Sequence, residues 1–136
     1  MSKKKGSRLE RELFHLLYES GWSPIRVAGS GSVPVPSADI IAGKAGRVVA
    51  IECKSGKSPR YINKKQIQEL QEFADKFGAE PWVGARFDNI EWFFLELHNL
   101  KSTKTGNNFV VDINLAKKKG IKFDELLGKY KQVRLE

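Results

Sequence analysis

The sequence predicts an α/β fold in which a central mixed β-sheet is flanked by helices. Two segments, 7–20 and 63–77, repeat apolar residues at the spacing of amphipathic helices. Short runs rich in β-branched and aromatic residues lie between and after them, which is typical of buried strands. Helical and strand segments that follow one another in this way predict a layered α/β arrangement.

Length and composition predict one domain, 1–136, that needs no disulfide or structural metal ion to be stable. The 136 residues suffice to bury a core, and 40% hydrophobic with 29% charged residues is typical of a soluble globular protein. The single cysteine, Cys53, excludes an internal disulfide, and two separated histidines do not suggest a zinc site. No apolar run is long enough to span a bilayer or to form a signal-peptide core, so we expect a cytoplasmic protein with no membrane partner.

The charge predicts a polyanionic partner. The formal net charge is +8 and the pI is about 9.6, and nucleic acid is the commonest partner of so basic a chain. Basic clusters at 3–5, 57–65 and 117–122 are separated by apolar segments, so several phosphates can be contacted at once. A solvated basic surface is the alternative interpretation of charge alone.

A basic N-terminal arm, residues 1–6, precedes the first predicted helix. Ser7 is the expected N-cap, with Glu10 at capping-box spacing, and the helix is expected to end at Ser20 and Gly21. Helical geometry places Glu10 on the core-facing side and Arg11 on the outer side. Glu10 therefore either completes the capping box or serves a site.

A hairpin is predicted where the apolar runs 40–41 and 48–51 flank the turn residues 43–46. Side chains alternate along a strand, so Glu52 and Lys54 project to one side while Ile51 and Cys53 project to the other.

Asp39 enters the same region from the neighbouring strand. Two acids and a lysine beside an apolar sheet are costly unless they are compensated, and a divalent cation is the usual compensation for paired carboxylates. The alternative is that Glu52 and Lys54 mark a solvated strand end that Asp39 caps. The segment 28–36, a Gly/Ser turn followed by Pro-stiffened chain, leads into Asp39. It is either a connector or a set of hydroxyl and N–H groups that meets a phosphate.

The remaining elements are predicted from the same signals. In order, they are a strand at 22–27, a polar basic loop at 55–61, a helix at 63–77 ending at Gly78, strands at 82–87 and 91–97, a polar loop at 101–108, a strand at 109–111, and two short helical segments at 112–119 and 123–127. Lys64 and Lys65 lie in the first turn of the second helix, where a helix N-terminus favours anions.

Three features in order along the chain resemble those of the archaeal Holliday junction resolvases. They are the helix acid Glu10, the run Arg26-Val27-Ala28-Gly29-Ser30, and the core of Asp39 with Glu52-Cys53-Lys54. The core alone is shared by the wider restriction-endonuclease-like superfamily, whereas the ordered set is more specific. Ala38 precedes the acid where the superfamily nominally has proline.

The resemblance implies a restriction-endonuclease-like fold and a set of site residues. Glu10, Asp39 and Glu52 would ligate Mg²⁺, with Mn²⁺ as a substitute; Lys54 would stabilise the transition state or position the water. Ser30 would be the active-site hydroxyl. Phosphates would be held by Arg11 and Arg26, to which the basic clusters add Lys57, Lys64 and Lys65 as predicted DNA-binding residues.

The leading hypothesis is a homodimeric, Mg²⁺-dependent endonuclease that cuts four-way junction DNA, with recombination or repair proteins as possible partners. A two-fold substrate calls for a two-fold enzyme because one subunit carries one site. The alternatives are a nuclease of the same fold that acts on another DNA structure or sequence, and a non-catalytic DNA-binding module.

Overall fold

The computed structural model describes residues 2–27, 37–56, 59–88 and 90–128. Ser30 and Lys57 lie outside these ranges. The elements in order are α1 Ser2–Glu19, β1 Ser23–Arg26, β2 Ile40–Lys44, β3 Arg47–Gly56, β4 Arg60–Asn63, α2 Lys64–Phe77, β5 Glu80–Phe87, β6 Trp92–Leu95, a 3₁₀ turn Leu97–Asn99, β7 Lys101–Ser102, β8 Asn108–Val111, α3 Ile113–Lys119, β9 Ile121–Lys122 and α4 Phe123–Leu126. Within these described ranges, no helix combines the length and the apolar character needed to cross a membrane.

The larger sheet has six strands in the order β1-β2-β3-β5-β6-β9. β3 and β5 are parallel and the other neighbours are antiparallel, which confirms the predicted mixed sheet. The parallel pair requires a crossover, and α2 provides it between β3 and β5. α2 therefore begins at the end of the sheet where β3 ends.

The β2–β3 hairpin turns more tightly than the sequence suggested. Lys44 pairs with Arg47, so only Ala45 and Gly46 connect the strands. Both have positive φ, 49° and 92°, as a type I′ turn requires. The predicted hairpin is confirmed, and its register places Ile40 opposite Ile51.

Helix α1 begins earlier than predicted. It starts at Ser2, so the expected separate arm and the Ser7 N-cap are wrong. Lysine is a good helix former, so the helix extends through the basic residues. Its buried leucines pack against β3, as the helical spacing predicted: Leu9, Leu13 and Leu17 join Val49 and Ile51 in one core.

Helix α2 has the predicted caps but not the whole predicted core stripe. Asn63 accepts a hydrogen bond from the Gln66 backbone, and Gly78 adopts the left-handed conformation at the other end. Phe77 was expected in the core, but it is 54% exposed and stacks on Phe73 at 5.2 Å between ring centroids. Phe77 therefore lies on the surface, whereas Phe73 is half-buried against the core.

A second, three-stranded sheet of order β4-β8-β7 was not predicted. The predicted loops at 55–61 and 101–108 are wrong where β3 continues to Gly56 and where β4 and β7 form. β4 and β7 are short strands, and β4 pairs with β8, which is far away in the sequence. The local composition therefore favoured a loop. Ile62 and Val111 turn inward from this sheet and pack against Val83 and Ala85 of β5.

The C-terminal segments form largely as predicted, with one addition. α3 and α4 are helical, but Ile121 and Lys122 between them add β9 to the edge of the large sheet. Arg47 fastens this end of the chain: its guanidinium donates to the Glu80 carboxylate and to the backbone carbonyl of Leu126.

Candidate active site

The strand β3 places Glu52 and Lys54 on one face, as alternation predicted. Lys54 Nζ lies 3.6 Å from Glu52 Oε2, and the two side chains are only 18% and 19% exposed. In the parallel register they lie beside Val83 and Ala85 of β5. The face they share is the one against which α2 and the small sheet pack.

Asp39 is held at the edge of the hairpin by the backbone of β3. The Cys53 N–H donates to Asp39 Oδ2 at 2.9 Å, and the Asp39 N–H donates to the Ile51 carbonyl at 3.0 Å. The residue is 9% exposed. This fixes its carboxylate beside the strand that carries Glu52, so the sequence prediction that the hairpin brings the two acids together is supported by geometry.

Glu10 serves a tertiary contact rather than a cap. Arg26 Nε donates to Glu10 Oε1 at 3.0 Å, which ties α1 to the end of β1. Arg11, the next residue along the helix, is exposed as predicted. The choice between a capping role and a site role for Glu10 is therefore settled against the capping box.

The acids influence one another electrostatically. Burial raises the pKa of Glu52 to about 7, the charge of Asp39 and to a lesser degree that of Glu10 adds to this, and Lys54 opposes it. Burial also raises the pKa of Glu10, and the hydrogen bond from Arg26 limits the rise. The three carboxylates thus lie within mutual reach, and negative charge is in excess among them.

The surroundings of Cys53 do not favour a catalytic role for its thiol. Burial, followed by the nearby negative charges, raises the pKa of its thiol well above the ordinary value. The thiol therefore stays protonated, and a protonated thiol is a poor nucleophile. The side chain packs in the core beneath β3, as a small buried hydrophobe does.

The donor set suits a hard divalent cation by its chemistry. Mg²⁺ and Mn²⁺ prefer carboxylate oxygens, and a cation would offset the repulsion that raises the pKa of Glu52. Across the described ranges, no three acid, histidine or cysteine side chains form a ready-made metal cluster. Each acid instead has a partner within the protein. Glu10 pairs with Arg26, Asp39 accepts from the Cys53 backbone, and Glu52 pairs with Lys54.

Two of the predicted DNA-binding lysines lie at the same end of the sheet as the acids. Lys64 and Lys65 are exposed in the first turn of α2, which follows β3 and the short strand β4 in the chain. Arg26 forms an ion pair with Glu10, so one of the predicted phosphate-binding residues directly contacts one of the acids. Sequence reasoning missed this pairing, because nothing local connects residues 16 positions apart.

Comparisons with known proteins identify the family to which the chain belongs. Residues 1–135 match the family model of the archaeal Holliday junction resolvase, Hjc. The chain is 38% identical to the crossover junction endodeoxyribonuclease Hjc of Archaeoglobus fulgidus, covering 97% of this chain and 96% of that protein. It is 40% identical to the enzyme of the same name from Methanocaldococcus jannaschii, covering 98% and 94% respectively.

A solved structure has the same fold. The fold matches that of Archaeoglobus fulgidus Hjc, described as a Holliday junction resolvase from an archaeal hyperthermophile, with a TM-score of 0.80 and 32% identity. The match covers 91% of this chain and 96% of the other. The restriction-endonuclease-like fold expected from the ordered motifs is therefore confirmed. The chain belongs to the archaeal Holliday junction resolvase family.

Proposed function

We propose that this protein is a structure-selective DNA endonuclease that resolves four-way junctions by hydrolysing phosphodiester bonds. The observation that carries the proposal is the placement of Lys54 and Glu52 on one strand face with Asp39 and Glu10 within electrostatic reach. The relatives that it resembles over nearly their whole length are named crossover junction endodeoxyribonucleases. We also propose that it acts in the cytoplasm, bound to DNA.

The protein's own groups divide the work of hydrolysis. A water oxygen forms a bond to phosphorus as the bond from phosphorus to one sugar oxygen breaks, and that oxygen takes up a proton. Lys54 orients the water or offsets the charge that develops on the phosphate oxygens, for which a compact ammonium group on a flexible stem is suited. Arg11 and Arg26, with Lys57, Lys64 and Lys65, hold the flanking phosphates.

Glu10, Asp39 and Glu52 would hold a divalent cation, with Mg²⁺ preferred and Mn²⁺ as a substitute. When bound, such an ion supplies Lewis-acid chemistry and neutralises charge on the phosphate. The support is the type of donor and the surroundings of Glu52, where burial first and then the charge of Asp39 raise the pKa of the carboxyl.

We propose that the working unit is a homodimer. A four-way junction has two strands to cut and each chain supplies one set of these residues, so a two-fold assembly matches a two-fold substrate. The exposed ring of Phe77, which stacks on the half-buried ring of Phe73, is apolar, aromatic surface of the kind that interfaces bury. Recombination or repair proteins are further partners to seek.

The decisive experiment compares cleavage of a four-way junction with cleavage of a linear duplex of the same sequence, with and without Mg²⁺. We expect Mg²⁺-dependent cuts in two opposed strands of the junction and none in the duplex. Equal cutting of both substrates would favour a nuclease with another target. Binding without cutting under every condition would favour a non-catalytic module.

Affinity for junction DNA is expected to fall steeply with salt. Lysine and arginine contacts release counterions from phosphates, so log K decreases linearly with log salt, with a slope of about −0.9 per phosphate neutralised. Titrations of labelled junction from low to moderate salt measure this slope. A nearly flat dependence would remove the electrostatic basis of the proposal.

Ser30→Ala is expected to slow the cutting step. Ser30 lies outside the described residues, and its role rests on the resemblance and on its position shortly before Asp39 in the sequence. A hydroxyl that contacts the scissile phosphate assists catalysis while contributing little to folding. Single-turnover cleavage, paired with thermal unfolding, measures both quantities. A parental cutting rate would withdraw Ser30 and leave the acids and Lys54 in place.

A further inference from the structure

The outward face of the small sheet carries an aromatic ring that neither the core nor the candidate active site uses. Tyr61 lies within β4 and is 63% exposed, whereas its neighbour Ile62 is completely buried. This alternation is what a strand with one covered face requires. The Tyr61 ring therefore projects away from the protein.

Tyr61 has cationic neighbours on its own face. In the ladder it pairs with Val110 of β8, which in turn pairs with Lys101 of β7. Partners across antiparallel strands project to the same side, so Lys101 shares the outward face with the ring. Lys64 follows β4 directly and is exposed, so basic side chains lie both across the sheet and along the chain.

This surface lies beside the candidate active site. Ile62 packs against Val83 and Ala85, and those two residues are the register partners of Glu52 and Lys54. Parallel partners project to the same face, so β4 covers the face of the large sheet from which Glu52 and Lys54 emerge. The small sheet therefore borders the residues to which the proposed function assigns DNA cleavage.

We propose that Tyr61 stacks on a nucleobase that is exposed where strands exchange in a four-way junction. The inference rests on the proposed function and adds a source of its selectivity. An aromatic ring with lysines nearby suits a base with its phosphates, because an aromatic ring can stack on any base while lysines contact the backbone. A continuous duplex keeps its base faces stacked, so the contact strengthens binding to branched DNA alone.

The chain offers a matched control for this ring. Tyr18 is 67% exposed on α1, which packs on the opposite face of the large sheet. Tyr18→Ala removes the same chemical group from a surface of similar exposure, away from the proposed contact. Tyr61→Phe keeps the ring and removes only the hydroxyl.

The experiment measures the Kd of each variant for a junction that carries 2-aminopurine at the crossover, and for a linear duplex. We expect Tyr61→Ala to weaken junction binding about tenfold, to leave duplex binding unchanged, and to lose the quenching that stacking causes. Tyr61→Phe and Tyr18→Ala should keep parental values for both ligands.

Three results would overturn the inference and leave the proposed function in place. Tyr61→Ala with the junction affinity of Tyr18→Ala would show that the ring does not stack on DNA. Equal weakening of junction and duplex binding would show that the ring contacts DNA of either form and does not select junctions. If Tyr61→Ala no longer sediments with the mass of a dimer, the ring contacts a second copy of the chain instead of DNA. A parental protein that does not prefer junctions would instead contradict the proposed function itself, and this inference with it.

Discussion

Glu10→Ala, Asp39→Ala, Glu52→Ala and Lys54→Ala are each expected to abolish junction cleavage while leaving junction binding largely intact. In the proposed mechanism the four side chains act on the reacting phosphate, whereas most of the binding free energy comes from phosphate contacts spread over the basic surface. Loss of one group that stabilises developing charge typically costs about 10²–10³ in rate. Single-turnover cleavage and gel-shift affinity, measured on the same preparations, separate the two effects.

Glu72→Ala provides the matched control for these variants. Glu72 also pairs with a lysine, Lys76 at 3.0 Å, but it lies on the outer face of α2 away from the hairpin. Its substitution should leave cleavage at the parental rate. If binding is lost in parallel with cutting for all four site variants, the assignment of separate catalytic and binding groups is wrong.

The stability of the DNA-free protein is expected to fall as the pH rises from 4.5 to about 7. Glu52 has a raised pKa of about 7 in the folded protein against an ordinary value of 4.5. Between these values the folded protein retains a proton that the unfolded chain has released, so the free energy of unfolding decreases with pH. The full difference is about 3 kcal/mol, and it is complete above the folded pKa.

Glu52→Gln should flatten this dependence, because glutamine does not titrate. Urea unfolding at several pH values between 5 and 8 measures the slope, and Glu72→Gln should retain the parental slope. Mg²⁺ should stabilise the parental protein at pH 8 and have much less effect on Glu52→Gln, since binding to the folded state alone raises stability by mass action. Parental and Glu52→Gln proteins with the same slope would contradict the assignment of the raised pKa to Glu52.

Much of the site followed from local sequence. The alternation in Glu52-Cys53-Lys54 decided which side chains share a face, and the helical spacing of Leu9, Leu13 and Leu17 decided which face of α1 is buried. Both patterns depend on the fixed periods of strand and helix, so they require no knowledge of distant residues. The caps of α2 at Asn63 and Gly78 were predictable for the same reason.

The sequence by itself thus determined the mixed sheet, the hairpin and the identity of the acids and lysine. Tertiary structure alone decided the partner of Glu10, the anchoring of Asp39 by the Cys53 backbone, and the small sheet that presents Tyr61. These features join residues far apart in the chain through contacts that leave no periodic trace in the sequence. The raised pKa of Glu52 belongs with them, because it depends on burial and on charges that only the folded chain brings together.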